Sequence, residues 1–297
     1  MYTAPPEFEP YWRDTLDTLG EFCMAAEVTP IPLRTTDFAT LYGVRLTSLG
    51  PYRIFGFLSI PKGTGPFPAI YYTPRYHSVV QPFPQGTSNE LRRHVITLSI
   101  AARGQRNADK PFAADFPGWL TTGIADPGAY IFRGVVADCV RGLEFLAAQE
   151  NVDPARIAVV GNDLAFVTAA LGNAATHVAA GPELFFGAPP TGGAYPRAEI
   201  ADHLRQTPAE FDAIYRTLAL YDLRAFAPAV SASRLVLAGP SGSDLDGTVL
   251  APLAEAAHAV LRESEQSDYK DGLAFLSWLA MQFGMPNAEA IVPRAWR

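Results

Sequence analysis

With 297 residues, of which 48% are hydrophobic and 18% charged, the chain can bury the core of one large α/β domain or two smaller ones. A net charge of −7 with no basic tract argues against nucleic acid and anionic membrane surfaces as partners. Two cysteines, Cys23 and Cys139, lie far apart and read as small core residues rather than a disulfide or a metal pair.

In chain order, a Pro-rich lead precedes a helix in which Trp12, Leu16, Leu19, Phe22 and Cys23 recur at helical spacing. The first residues are acidic and Pro-rich where a secretory leader needs a basic then apolar run, so a soluble, cytoplasmic protein is expected. No apolar stretch approaches the length of a membrane span. Tyr42–Thr47 and Tyr52–Ile60 are predicted strands joined by a turn at Ser48-Leu49-Gly50-Pro51. Buried strands are predicted at Ala69–Tyr72 and His94–Ile100, then an amphipathic helix at Tyr130–Gln149. A short strand, Ile157–Val160, leads to a helical pattern at Phe166–Ala175. A Gly/Pro-rich stretch from Gly181 and helices to about Ala227 form a lid-like excursion. Ser233–Ala238 is a further strand, and helices at Thr248–Glu263 and Lys270–Phe283 finish the pattern. Strands alternating with helices imply a parallel sheet with right-handed crossovers.

The stretch Val159-Val160-Gly161-Asn162-Asp163-Leu164-Ala165 has the strand–turn–helix context of a nucleophile elbow, the G-x-S-x-G device of α/β-hydrolases. Asp163 stands where such an elbow has its nucleophile. Around it, Arg103-Gly104-Gln105, Gly118-Trp119-Leu120, Tyr130-Ile131-Phe132-Arg133-Gly134 with Asp138 and Arg141, and Tyr221-Asp222 form further distinctive runs. Together these resemble carbohydrate esterase family seven, the acetyl xylan esterases and cephalosporin C deacetylases, from about residue 5 to residue 284.

The resemblance implies an α/β-hydrolase fold: a mostly parallel central sheet flanked by helices, in a single domain spanning residues 1–297. Residues 1–60 would be an N-terminal helix and hairpin extension, and about 181–227 the insertion. It also implies that the machinery has changed. Family members carry Ser at the elbow, as Gly-x-Ser-Gln-Gly, where this chain has Asp163 and Leu164. The backbone N–H of Leu164 is expected to remain an oxyanion donor. The other donor loop reads Thr73-Pro74-Arg75-Tyr76-His77, in which proline has no N–H to give. The triad acid position falls at Gly242, with Asp244 as a shifted substitute, and Asp246 also close by. The triad His belongs between Glu263 and Gly272, where this chain has none.

Nucleophilic ester hydrolysis needs a base, and removing triad members costs roughly 10⁴ to 10⁶ in turnover. The sequence therefore reads as a pseudo-esterase with a structural, regulatory or ligand-binding role. The alternative is a hydrolase of altered chemistry using Asp163 as nucleophile or acid–base group. Arg75, Tyr76, His77 and Leu164 are the expected binding residues, with Arg75 reaching Asp163 in an ion pair. No metal or other cofactor is expected. The expected partners are copies of this chain, an active relative, or a small molecule in the old pocket.

Overall fold

The computed structural model describes residues 2–76, 80, 91–106 and 118–285. Its centre is a nine-stranded sheet in the order β1-β2-β3-β5-β4-β6-β7-β8-β9. The strands are β1 (Glu27–Pro30), β2 (Ala39–Thr47), β3 (Arg53–Pro61), β4 (Phe67–Tyr72), β5 (Ile96–Ala101), β6 (Val152–Gly161), β7 (His177–Ala180), β8 (Ser233–Ala238) and β9 (Val260–Glu263). From β5 through β9 every neighbouring pair is parallel, whereas β1, β2 and β3 join the β5 edge antiparallel. The two predicted hairpin strands thus belong to the main sheet. β4 and β5 are buried almost throughout, as strands covered on both faces must be.

The helices are α1 (Phe8–Gly20), α2 (Ile131–Ala147), α3 (Asp163–Leu171), α4 (Arg197–Gln206), α5 (Phe211–Ala219), α6 (Leu223–Phe226), α7 (Gly247–Ala256) and α8 (Asp268–Gln282). The helices α4 to α6 form the excursion between β7 and β8. Among the described residues no helix is long and apolar enough to cross a membrane.

Three differences separate the structure from the expected pattern. The predicted helix Thr248–Glu263 stops at Ala256, because His258 takes a left-handed backbone (φ 51°) and Val260–Glu263 then pairs with β8. An Ala-rich run looks helical to its end, even with Pro252 inside it, until a neighbouring strand competes for its backbone. The short strands β1 and β7 also went unpredicted; β1 is exposed along its whole length and carries no alternation to read. Cys139 is buried as expected, but Cys23 is exposed just beyond α1; both are free thiols.

Arg103 anchors one of the distinctive runs. Its guanidinium donates to both carboxylate oxygens of Asp138 on α2, at 3.0 and 2.7 Å, and its backbone N–H donates to the same group at 2.9 Å. Two glycines make this possible: a Cβ on Gly134 would lie 2.3 Å from that guanidinium, and one on Gly104 (φ 87°) would lie 2.6 Å from the Trp119 ring nitrogen. The run is therefore a packing unit, which binds the end of β5 to α2.

Candidate active site

The site forms where the sheet changes direction. β4 has β5 on one side and β6 on the other, so the chain crosses back over β4 between them. In parallel sheets such a switch point opens a crevice at the carboxyl ends of the strands. The segments following β4, β6 and β7 meet there, bringing Tyr76, Asp163 and Glu183–Phe185 together.

β6 ends at Gly161, where a Cβ would lie 2.2 Å from the Thr73 hydroxyl. Asn162 follows as the N-cap of α3, its Oδ1 accepting from the Leu164 N–H at 3.0 Å. Asp163 is the first helical residue, and it is not among the described non-glycine residues with positive φ. The strained backbone that presents a hydrolase nucleophile is thus absent here. The helix also starts earlier than the predicted Phe166, because the Asn162 cap initiates it.

Asp163 is fully buried. The Tyr76 hydroxyl donates to its Oδ2 at 2.8 Å. Three consecutive backbone N–H groups complete the set. Glu183 donates to Oδ2 at 3.0 Å, Phe185 to Oδ1 at 2.9 Å, and Leu184 lies 3.2 and 3.1 Å from the two oxygens. Burial pushes this carboxyl above its ordinary value, and the hydrogen bonds from Phe185, Glu183, Tyr76 and Leu184 pull it back. Donors aimed at both oxygens suit the ionised carboxylate, which accepts only. Burial, followed by the charges of Asp163 and Glu183, holds the Tyr76 phenol well above its usual range, so it remains a donor.

The expected Arg75–Asp163 pair does not form. Arg75 is exposed, and its carbonyl is held by the Gln105 side chain at 2.9 Å. Its neighbour Tyr76 turns inward instead, packing its ring against Trp119, Phe132 and Phe185. Successive residues of an extended loop face opposite ways, and the aromatic ring loses less on burial than a guanidinium. The Tyr195 hydroxyl donates to the Tyr76 carbonyl and pins the loop from the far side.

The Leu164 N–H, expected as an oxyanion donor, is already committed to Asn162. Gly242 lies in the turn after β8 with φ 82°, donating to Asp246 at 2.9 Å. Asp246 in turn caps α7, and Asp244 faces Arg197 of α4 at 3.6 Å. Neither carboxylate is bonded to a histidine. His94 and His258 precede β5 and β9 and His177 opens β7, which puts them at the opposite end of the sheet from Asp163. His177 bonds to Thr176 and packs on Phe283; His203 of α4 lies 3.7 Å from Glu210. His77 lies outside the described residues. Between β9 and α8, Ser264 and the Glu265 N–H are bonded to Asp271, and Ser267 caps α8. No group of three or more potential metal ligands occurs among the described residues.

Glu183 escaped the sequence reading. Its side chain keeps solvent contact at the mouth of the site while protein crowds it on one side. Burial and then the Asp163 charge raise its carboxyl to about 7, opposed by Arg75 and by Asn162. The Asn162 amide nitrogen faces it without closing a hydrogen bond of good geometry. Twenty residues separate Asp163 from Glu183, so no local spacing links them. Tyr71 and Phe185 are core: Tyr71 donates to the Cys139 carbonyl and Phe185 packs on Tyr221.

The family model described as acetyl xylan esterase (AXE1) matches residues 1–244. The chain belongs to the acetyl xylan esterase family. An acetyl esterase of Xylanibacter ruminicola, Axe7A, is 25% identical over 179 residues, covering 56% of this chain and 41% of that protein. The chain thus matches less than half the length of that relative. Among solved structures, an acetyl xylan esterase from a Paenibacillus species superposes with a TM-score of 0.79 at 23% identity, covering 95% of this chain and 96% of the other. Acetyl xylan esterase 1 from a Thermoanaerobacterium species gives 0.79 at 18% identity over the same shares. At these identities the likeness establishes the fold, which is that of the α/β-hydrolase esterases.

Proposed function

We propose that this member of the acetyl xylan esterase family is non-catalytic, serving as a structural, regulatory or ligand-binding protein on an esterase scaffold. The observation that carries the reading is the Asp163 carboxylate, fully buried with both oxygens occupied by donors. A carboxylate in that state is poorly placed to attack a substrate, and no described histidine contacts it to activate water. Assembly with itself or with an active relative, and a cytoplasmic location, belong to the same reading.

A second reading, a hydrolase of altered chemistry acting on a small ester-like or acylated substrate, draws support from Glu183. A carboxyl titrating near 7 beside Asp163 has the value a general acid–base group needs. The two readings separate in one assay series. The wild-type protein is expected to hydrolyse p-nitrophenyl acetate and acetylated sugars no faster than free imidazole does. Asp163→Ser is expected to stay equally inert, for want of a base. Turnover that disappears in Asp163→Ala or Glu183→Gln, or a covalent adduct on Asp163 after incubation with haloacids, epoxides or acyl esters, selects the second.

A further inference from the structure

The backbone N–H groups of Glu183, Leu184 and Phe185 point the same way, toward one carboxylate. Successive N–H groups in such a turn form an anion-binding concavity. The Tyr76 hydroxyl adds a fourth donor at 2.8 Å, on the side opposite the turn in sequence, 87 residues before Asp163. Aromatic rings wall the site: Tyr76 packs on Phe132 and Phe185, and Phe185 on Tyr221. Water is kept out, and the Asp163 carboxyl is the group that fills the space.

We propose that Tyr76 and the Glu183–Phe185 backbone form a carboxylate-binding nest whose resident ligand is the chain's own Asp163. The nest is specific for a planar, two-oxygen anion, because its donors divide between Oδ1 and Oδ2. In the wild-type protein it is self-occupied and closed to solutes. With the Asp163 side chain cut back to the backbone, it accepts a free carboxylate of one or two carbons. Asp163 is on this account a positioning residue: it ties the segment after β7 to the start of α3, and Tyr76 ties in the loop after β4.

The inference concerns the same residues as the proposed function but stands apart from the absence of catalysis. Hydrolysis by the wild-type protein would overturn the non-catalytic reading and leave the nest intact.

The test is chemical rescue of Asp163→Gly, followed by thermal melting in sodium formate, sodium acetate and sodium chloride at matched ionic strength. The variant is expected to melt roughly 10 °C below wild type, the size of effect that follows loss of a buried hydrogen-bond network. Formate should raise its melting temperature saturably, by mass action on the folded state, while chloride does not and wild type does not respond. Adding Tyr76→Phe to Asp163→Gly should weaken the formate response. A variant that melts with wild type, or that gains no more from formate than from chloride, overturns the proposal. If Asp163→Gly does not fold, Asp163→Asn decides by hydrogen exchange. Its amide offers one acceptor oxygen for four donors, so the Glu183, Leu184 and Phe185 amides should exchange about tenfold faster or more. Unchanged exchange at these three positions rejects the nest.

Discussion

A fully buried carboxyl, that of Asp163, and a solvent-contacting one, that of Glu183, are neighbours in this site, and desolvation raises both above their ordinary values. Asp163 loses its hydration and receives donors on both oxygens in exchange. Glu183 lends its backbone N–H to that arrangement, and its own carboxyl then feels the neighbouring negative charge. Its value of about 7 in the folded state lies above the ordinary 4.5. The folded protein therefore holds this proton more tightly than the unfolded chain does. The stability this contributes is fully present below about 4.5, declines as pH rises, and is gone above about 7. Glu183→Gln removes the slope. Melting temperatures taken from pH 4.5 to 7 should show wild type falling steadily relative to the variant. A constant difference across that range would reject the shift.

At the scale of elements, α1 is joined to the excursion helices by aromatic side chains and not by charge. The Trp12 ring nitrogen donates to the Leu220 carbonyl at 2.9 Å, and the ring packs edge-on against Tyr221 and Phe226. The Tyr11 hydroxyl meets that of Tyr221 at 2.7 Å. Tyr221 in turn packs on Phe185 of the nest and on Tyr130 at the start of α2. A chain of rings therefore connects the N-terminal helix to the site. Trp12→Ala opens a cavity in this cluster and leaves the Leu220 carbonyl unpaired. It should cost roughly 3–5 kcal/mol, the range for a large aromatic removed from a core. Urea unfolding should show it as a lower midpoint with an unchanged slope; a midpoint equal to wild type would mean that α1 docks independently of the cluster.

For the whole molecule, the sheet ends at two unlike edges. β1 is fully exposed, includes Pro30 and is followed by the almost bare Leu33. β9 presents Val260, 57% exposed, at the other edge. Open edges with apolar side chains are surfaces that proteins commonly protect or pair. Assembly is thus the expected state, and light scattering at micromolar concentration should give at least twice the 32.1 kDa of one chain. A mass of 32.1 kDa would show that both edges stand in solvent unaided.

Much of this protein was legible from its residues alone. Periodicity and breakers located α1, α2, the β2–β3 hairpin and the buried strands β4, β5 and β6, because each carries its own pattern of burial, whereas the four-residue β7 is too short to show one. The elbow context and the Arg103, Trp119 and Arg133 runs pointed to the family, because each run is a short string of residue types readable in place, although the contacts they make, such as Arg103 with Asp138 and Arg133 with Asp14, join distant parts of the chain. Asp163 in the elbow context and the lack of a histidine between Glu263 and Gly272 were equally visible. Only the tertiary structure decided what Asp163 touches. Its partners lie 87 residues before it and 20 to 22 after it, and three of them are backbone N–H groups, which no residue type announces. For the same reason the sequence favoured Arg75, the obvious counter-charge, over Tyr76. The choice between them rests on which way the loop turns and on the cost of burying a guanidinium, and both depend on the packed neighbours.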